Sequence, residues 1–140
     1  MKRYEFIEHT ADVAVKAYGA TLEEAFAVAA EAMFDIMTDE SPIERKQKVE
    51  LEAESIDIEG LLVSFLSKLI VLHEVDNLVL KDFVVAFTGD NSLKADAWGE
   101  KFTETKHAGG LHVKGVSYHM MEVVEGKGNR PCHVQVLFDV

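Results

Sequence analysis

Apolar and polar residues alternate from the start of the chain. Residues 4–7 and 13–18 read as two short strands around Glu8-His9-Thr10-Ala11-Asp12. In the second, Val13, Val15 and Ala17 fall on one face while Asp12, Ala14, Lys16 and Tyr18 fall on the other, the period of two of a half-buried strand. Gly19 breaks the pattern, and Thr21-Leu22-Glu23-Glu24 follows as a capping box. The Thr21 hydroxyl can accept from the Glu24 amide while the Glu24 carboxylate reaches back. The spacing of Leu22, Phe26, Ala29, Met33 and Met37 predicts a helix to about Thr38, ahead of Ser41-Pro42, with Glu23 and Glu24 at the positive end of its dipole.

Val49, Leu51 and Ala53 alternate with Lys48, Glu50, Glu52 and Glu54, a strand with one wet acidic face. From Ile58 to about His73 apolar residues cover nearly the whole helix surface, which marks a second helix packed on more than one side and expected at the centre of the core. Phe83, Val85 and Phe87, the turn Gly89-Asp90-Asn91-Ser92, and Leu93, Ala95 and Ala97 predict a hairpin. Two further strands, about 111–125 and 133–139, flank the turn material of residues 126–131. The expected order is β-β-α-β-α-β-β-β-β, an α+β fold with two helices packed on antiparallel sheet, as one domain over residues 1–140.

Composition narrows the chemistry. With 48% apolar residues in 140 the chain can build one substantial core, and 14 Lys and Arg against 25 Asp and Glu give 14 − 25 = −11. That balance argues against a protein that coats nucleic acid through its own charge. Only residues 101–135 are locally basic, with Lys101, Lys106, Lys114, Lys127 and Arg130 against three acids. One cysteine, Cys132, cannot form an internal disulfide, excludes cysteine-rich zinc sites, and reads as a small packing residue in a reducing compartment. The charged N-terminus has no secretion signal, and the apolar stretch from Leu61 to Leu72 is about two-thirds of a bilayer span. A cytoplasmic location with no membrane contact is expected.

No Gly-rich phosphate loop, His-Glu-x-x-His helix or Gly-x-Ser-x-Gly elbow occurs. Asp12 and Asp139 stand out instead. Asp12 opens one strand and Asp139 closes another, so antiparallel pairing of the two brings both carboxylates together with the terminal carboxylate of Val140. Oxygen ligands of that kind suit a hard cation such as Ca²⁺, Mg²⁺ or Mn²⁺. The plainer readings are a turn-forming Asp12 and an ordinary strand end at Asp139. Among the histidines, His9 lies three residues before Asp12, and His119 falls with Val113, Gly115, Ser117 and Met121 by strand alternation. His107 and His112 complete the set, each able to bind metal, move a proton or simply hydrogen-bond. Lys106 to Gly110 reads as loop, and Lys114 shares a strand face with Val116 and Tyr118, from which its ammonium could reach a phosphate or a partner's acid, or merely solvent.

Three separate segments resemble one family. Residues 4–15, Tyr4-Glu5-Phe6-Ile7-Glu8-His9-Thr10-Ala11-Asp12-Val13-Ala14-Val15, with Leu22-Glu23-Glu24-Ala25-Phe26 behind them, resemble the archease opening. Val113-Lys114-Gly115-Val116-Ser117-Tyr118-His119 is similar to its Lys-Ala-x-Thr-Tyr-His strand, with Gly115 and Ser117 where Ala and Thr are usual. Val136-Leu137-Phe138-Asp139-Val140 is similar to its hydrophobic-Asp-hydrophobic ending. The segment Glu104-Thr105-Lys106-His107 lacks the Asp-Pro expected there. The resemblance implies an activator, itself no ligase, of the RtcB-type RNA ligase of tRNA splicing and RNA repair. Such an activator promotes metal-dependent guanylylation of the ligase by GTP and allows repeated turnover. It implies metal-binding roles for Asp12 and Asp139, a partner role for Lys114, and only indirect contact with tRNA. A chaperone-like module and a small metal-dependent phosphohydrolase are the alternatives.

Overall fold

The computed structural model describes residues 3–8 and 12–140. Its strands form two antiparallel sheets. The first has the order β1-β2-β7-β6, from Tyr4–Glu8 (β1), Asp12–Gly19 (β2), Gly115–Val124 (β6) and Cys132–Asp139 (β7). The second has the order β3-β5-β4, from Gln47–Glu54 (β3), Leu78–Gly89 (β4) and Ser92–Lys101 (β5). Two long helices, Leu22–Thr38 (α1) and Ile58–Asp76 (α2), each touch both sheets. The α+β expectation and the strand order hold, with one short helix added, Glu104–His107 (α3), where the sequence reads as loop. Among the described residues no helix is long and apolar enough to cross a membrane.

Local chemistry sets the boundaries. Thr21 Oγ1 accepts from the Glu24 amide at 3.1 Å, satisfying an orphan donor of α1. Among the described residues the return bond of the capping box, from the Thr21 amide to the Glu24 carboxylate, is not made. At the other end Asp39 and Glu40 take left-handed conformations, φ 52° and 59°, and both amides donate to Asp35 O. Asp57 Oδ1 caps α2 by accepting from the Gly60 amide at 2.6 Å, and Asn77 at φ 57° ends it. The predicted hairpin pairs as expected, with Phe83 opposite Ala97, Val85 opposite Ala95 and Phe87 opposite Leu93.

The centre of the core is α1 rather than α2. Residues Ala25, Phe26, Val28, Ala29, Ala30, Ala32 and Met33 are all closed to solvent, because four alanines let both sheets and α2 approach the helix closely, leaving only the side of Glu24, Ala27, Glu31 and Asp35 partly open. Phe26 stacks on Phe65 of α2 at 6.5 Å and meets Phe87 of β4 edge-on at 5.2 Å, while Phe34 stacks on Phe83 at 5.9 Å. In α2 the buried residues Leu61, Leu62, Phe65, Leu66, Leu69 and Ile70 form a stripe, and Val71 and Val75 face solvent.

In the four-stranded sheet Val15, Ala17, Val134, Val136 and Phe138 face the helices, as alternation predicts. The opposite face is more closed than a half-wet sheet, since Ala14 and Leu137 are also buried. A large irregularity in β6 accompanies this. Ser117 pairs with Leu137 and Glu122 with Gln135, five steps along β6 against two along β7, so three extra residues are accommodated there. Met120 takes φ 58°, and its carbonyl accepts from Gln135 Nε2 at 2.9 Å, which draws the bulge over the outward face of β7.

Candidate functional site

Asp12 is the first residue of β2 and Asp139 the last of β7, and the two are register partners. Opposed residues of an antiparallel pair have Cα atoms about 5 Å apart and side chains on the same face. Both carboxylates therefore leave the end of the sheet on the side away from the helices, in line with Ala14 and Leu137. Gly115, first residue of β6, pairs with Asp139 from the other side, and the Lys114 amide donates to Asp139 O at 2.8 Å. A Cβ placed at Gly115 would have no heavy atom within 4 Å. The glycine is therefore not required by packing, and the space beside Asp139 is open. Val140, adjoining it, packs its side chain against the core.

The remaining sequence candidates separate. Lys114 is exposed and precedes β6, which begins at Gly115 rather than near 111, so it shares no strand face with Tyr118. His119 sits in the bulge, exposed, its amide held by Ser117 Oγ at 3.0 Å. The alternation that grouped it with Ser117 and Met121 does not survive three inserted residues. His9 lies outside the described residues. His112 contacts Glu74 at 3.1 Å on the surface. Cys132 is buried, its sulfur accepting from the Gly126 amide at 3.3 Å, a packing role.

His107 is fully buried in a network that sequence pattern does not signal. The Thr103 amide donates to its Nδ1 at 3.0 Å, which leaves Nε2 to donate to Glu100 Oε2 at 3.2 Å. The same carboxylate accepts from Lys106 Nζ at 2.7 Å and from the Glu44 amide at 2.7 Å. Burial alone would raise the Glu100 pKa, but the bonds from Lys106, Glu44 and His107 outweigh it and hold the value at about 2. Lys106 thus fixes α3 to β5 and Lys101 binds Asp76 O at 2.6 Å, so the basic segment 101–135 is not one patch. A second tie joins β1 to α1, where the Tyr4 hydroxyl donates to the Asp35 carboxylate. Burial and then the Asp35 bond push the Tyr4 pKa up, and burial raises Asp35 and Glu31 as well.

Among the described residues no group of three or more His, Cys, Asp or Glu side chains could enclose a metal. Two paired carboxylates fit a different arrangement. Hard divalent cations such as Mg²⁺ are commonly held by one or two carboxylates, with waters or a nucleotide's phosphates completing the shell. Asp12 and Asp139 match that donor chemistry, and Asp139 is exposed.

Two antiparallel sheets around two helices, with a pair of aspartates at one sheet end, define a small α+β protein. The chain belongs to the archease family. The pattern of the Archease protein family (MTH1598/TM1083) matches residues 4–140. The chain is 42% identical over 126 residues to protein archease of Pyrococcus abyssi, covering 88% of this chain and 89% of that one. It is 39% identical over 139 residues to that of Methanosarcina mazei, covering 96% and 95%. The solution structure of Methanobacterium thermoautotrophicum protein 1598 superposes with a TM-score of 0.75 at 32% identity, covering 100% of both chains.

Proposed function

We propose that this protein activates an RtcB-type RNA ligase in tRNA splicing and RNA repair, promoting its GTP-dependent guanylylation and repeated turnover. The observation that supports this most directly is the register of Asp12 against Asp139 at one end of the sheet. Docked there, the two carboxylates would hold a divalent cation, Mg²⁺, Mn²⁺ or Ca²⁺, beside the phosphates of the GTP carried by the ligase. A cation so held supplies neutralisation of the charge that develops on a transferring phosphoryl group. Asp12 and Asp139 set its position from two rigid strands, and Lys114, exposed next to them, adds a point charge for a phosphate or a partner's acid. The net charge of −11 favours approach to a basic enzyme face and disfavours binding along the body of an RNA, so the tRNA is met indirectly; the cytoplasm is the proposed site of work.

This reading makes the protein an activator and not a catalyst. The test is transfer of labelled GMP to the ligase with and without this protein. Asp12→Ala and Asp139→Ala should each abolish the stimulation. Asp139 is exposed, so Asp139→Ala should leave unfolding free energy within about 0.5 kcal/mol of the parent. Full multiple-turnover stimulation by both variants would overturn the proposal.

A further inference from the structure

At the other end of the four-stranded sheet lies a cavity of about 490 Å³, lined among others by Arg3, Tyr18, Glu24, Arg130 and Pro131. Tyr18 is the register partner of His133, six residues along β2 from the Asp12 and Asp139 pair, so the two sites are roughly 20 Å apart. Among the described residues six cations pair with acids: Arg3 with Glu31, Arg45 with Asp82, Lys46 and Lys106 with Glu100, Lys48 with Asp96, and Lys94 with Glu52; Lys68 and Lys101 donate to backbone carbonyls. Among the described residues the Arg130 guanidinium, like Lys81, Lys114 and Lys127, has no acid partner, and the Glu24 carboxylate has no side-chain partner, but only Arg130 and Glu24 face one cavity together. They line one cavity without pairing with each other. Glu24 is fixed on the first turn of α1, and Arg130 follows a tight turn containing Gly128 at φ 65°.

A ligand that satisfies both groups carries an anion at one end and N–H donors at the other. Guanidinium matches a phosphate through parallel N–H bonds. A carboxylate accepts together the adjacent N1–H and N2–H of a guanine edge. Pro131 and the Tyr18 ring, over which Lys16 Nζ lies at 6.0 Å and beside which His133 is tilted, provide apolar surface of the kind on which bases stack, and the volume lies within the usual span of small-ligand sites. We propose that this cavity binds a phosphorylated nucleotide with a donor-edged base, guanine best, its phosphate on Arg130 and its base edge on Glu24. The shared chemistry is present both in a free mononucleotide and at the end of an RNA strand. The site is distinct from the Asp12 and Asp139 end and does not depend on the ligase reading.

The test is titration of the full chain with GMP, and separately with a short RNA ending in guanosine 3′-phosphate, followed by amide NMR shifts. Saturable binding centred on Tyr18 and Arg130 is expected, and the tighter of the two probes identifies the source. Arg130→Glu should weaken it by at least about tenfold, as should guanosine in place of GMP. UMP, with one N–H in place of guanine's pair, should bind more weakly than GMP, and Glu24→Gln should remove that preference. Asp12→Ala should bind like the parent, which separates this site from the proposed metal end. Glu24 and Arg130 are both exposed, and unchanged melting temperatures certify the variants. No saturable binding of either probe at millimolar concentration overturns the proposal, as does equal affinity in Arg130→Glu.

Discussion

Removing the charge of Glu100 tests whether the network around α3 stabilises the fold as its geometry implies. The carboxylate is 4% exposed and accepts from Lys106 Nζ and the Glu44 amide, both at 2.7 Å, and from His107 Nε2 at 3.2 Å. Its pKa falls from 4.5 to about 2 despite burial. A carboxyl with a depressed folded-state value contributes stability that is complete above its unfolded pKa and is lost as the pH falls toward the folded one. The window is therefore pH 5 to 2. That lowering from 4.5 to about 2 corresponds to about 3 kcal/mol in all. Of that, about 2 kcal/mol is gone by pH 3. Lys46 and Lys106 are 64% and 32% exposed, so screening reduces the expected loss to roughly 1 to 2 kcal/mol.

Asp35 and Glu31 act in the opposite sense. Burial raises their values, so their contribution is present below the unfolded pKa and is lost as the pH rises through the folded one. The parent's pH profile thus mixes both signs. The assay is urea unfolding of the parent and Glu100→Gln at pH 7 and pH 3, and the quantity is the change in their difference. The parent's advantage should shrink by roughly 1 to 2 kcal/mol at the lower pH. An advantage equal at both values would show that the variant's loss comes from shape or from an orphaned Lys106, and not from the charge of Glu100.

Thr21→Ala removes the acceptor for the Glu24 amide and should lower stability by about 1 kcal/mol in urea unfolding. Phe26→Ala empties a fully buried ring site between α2 and β4 and should cost about 3 to 5 kcal/mol by the same measurement. Gly99→Ala would place a Cβ 1.9 Å from Val79 O, a backbone atom that cannot swing aside. It should break local β4–β5 pairing, read as accelerated amide exchange at Val79 and Leu80.

The periodic parts of this fold were legible because one face of each element is buried. Val134, Val136 and Phe138, and Phe83, Val85 and Phe87 across from Ala97, Ala95 and Leu93, are placed by alternation alone. The opposition of Asp12 and Asp139 needed only that the first and last long strands pair, and they do. Alternation failed where β6 inserts three residues, because no period carries across a bulge, and so the faces of Lys114 and His119 were misjudged. Burial in α1 was underestimated because alanine gives a weak hydrophobic signal, yet its small volume is what lets α1 be enclosed. Glu100 carries no signal in the sequence pattern; its role depends on Lys106, His107 and the Glu44 amide meeting it through the tertiary fold. The Arg130 and Glu24 cavity was equally invisible, since those residues are 106 apart in sequence (130 − 24).

The distribution of the excess acid bears on how such a protein would meet a basic enzyme. On the outer face of the three-stranded sheet Lys48 and Lys94 lie among Glu50, Glu52 and Asp96, an exposed lattice of opposite charges that adds little stability and little net field. Lys68 also reaches Glu52 O at 2.5 Å and blocks the open edge of β3 against pairing with another chain. That sheet is therefore built to stay unpartnered. The acids at the end of α1 differ: Asp35, Asp39 and Glu40 gather where the helix dipole is already negative, with no basic residue in the last turn. The fold tolerates this through the Tyr4 hydroxyl and two amides bound at Asp35. Like charge concentrated at a helix end, against the local electrostatic preference, costs the free protein stability that a basic partner would return on docking. Net charge alone could not distinguish that arrangement from the neutral lattice on the other sheet.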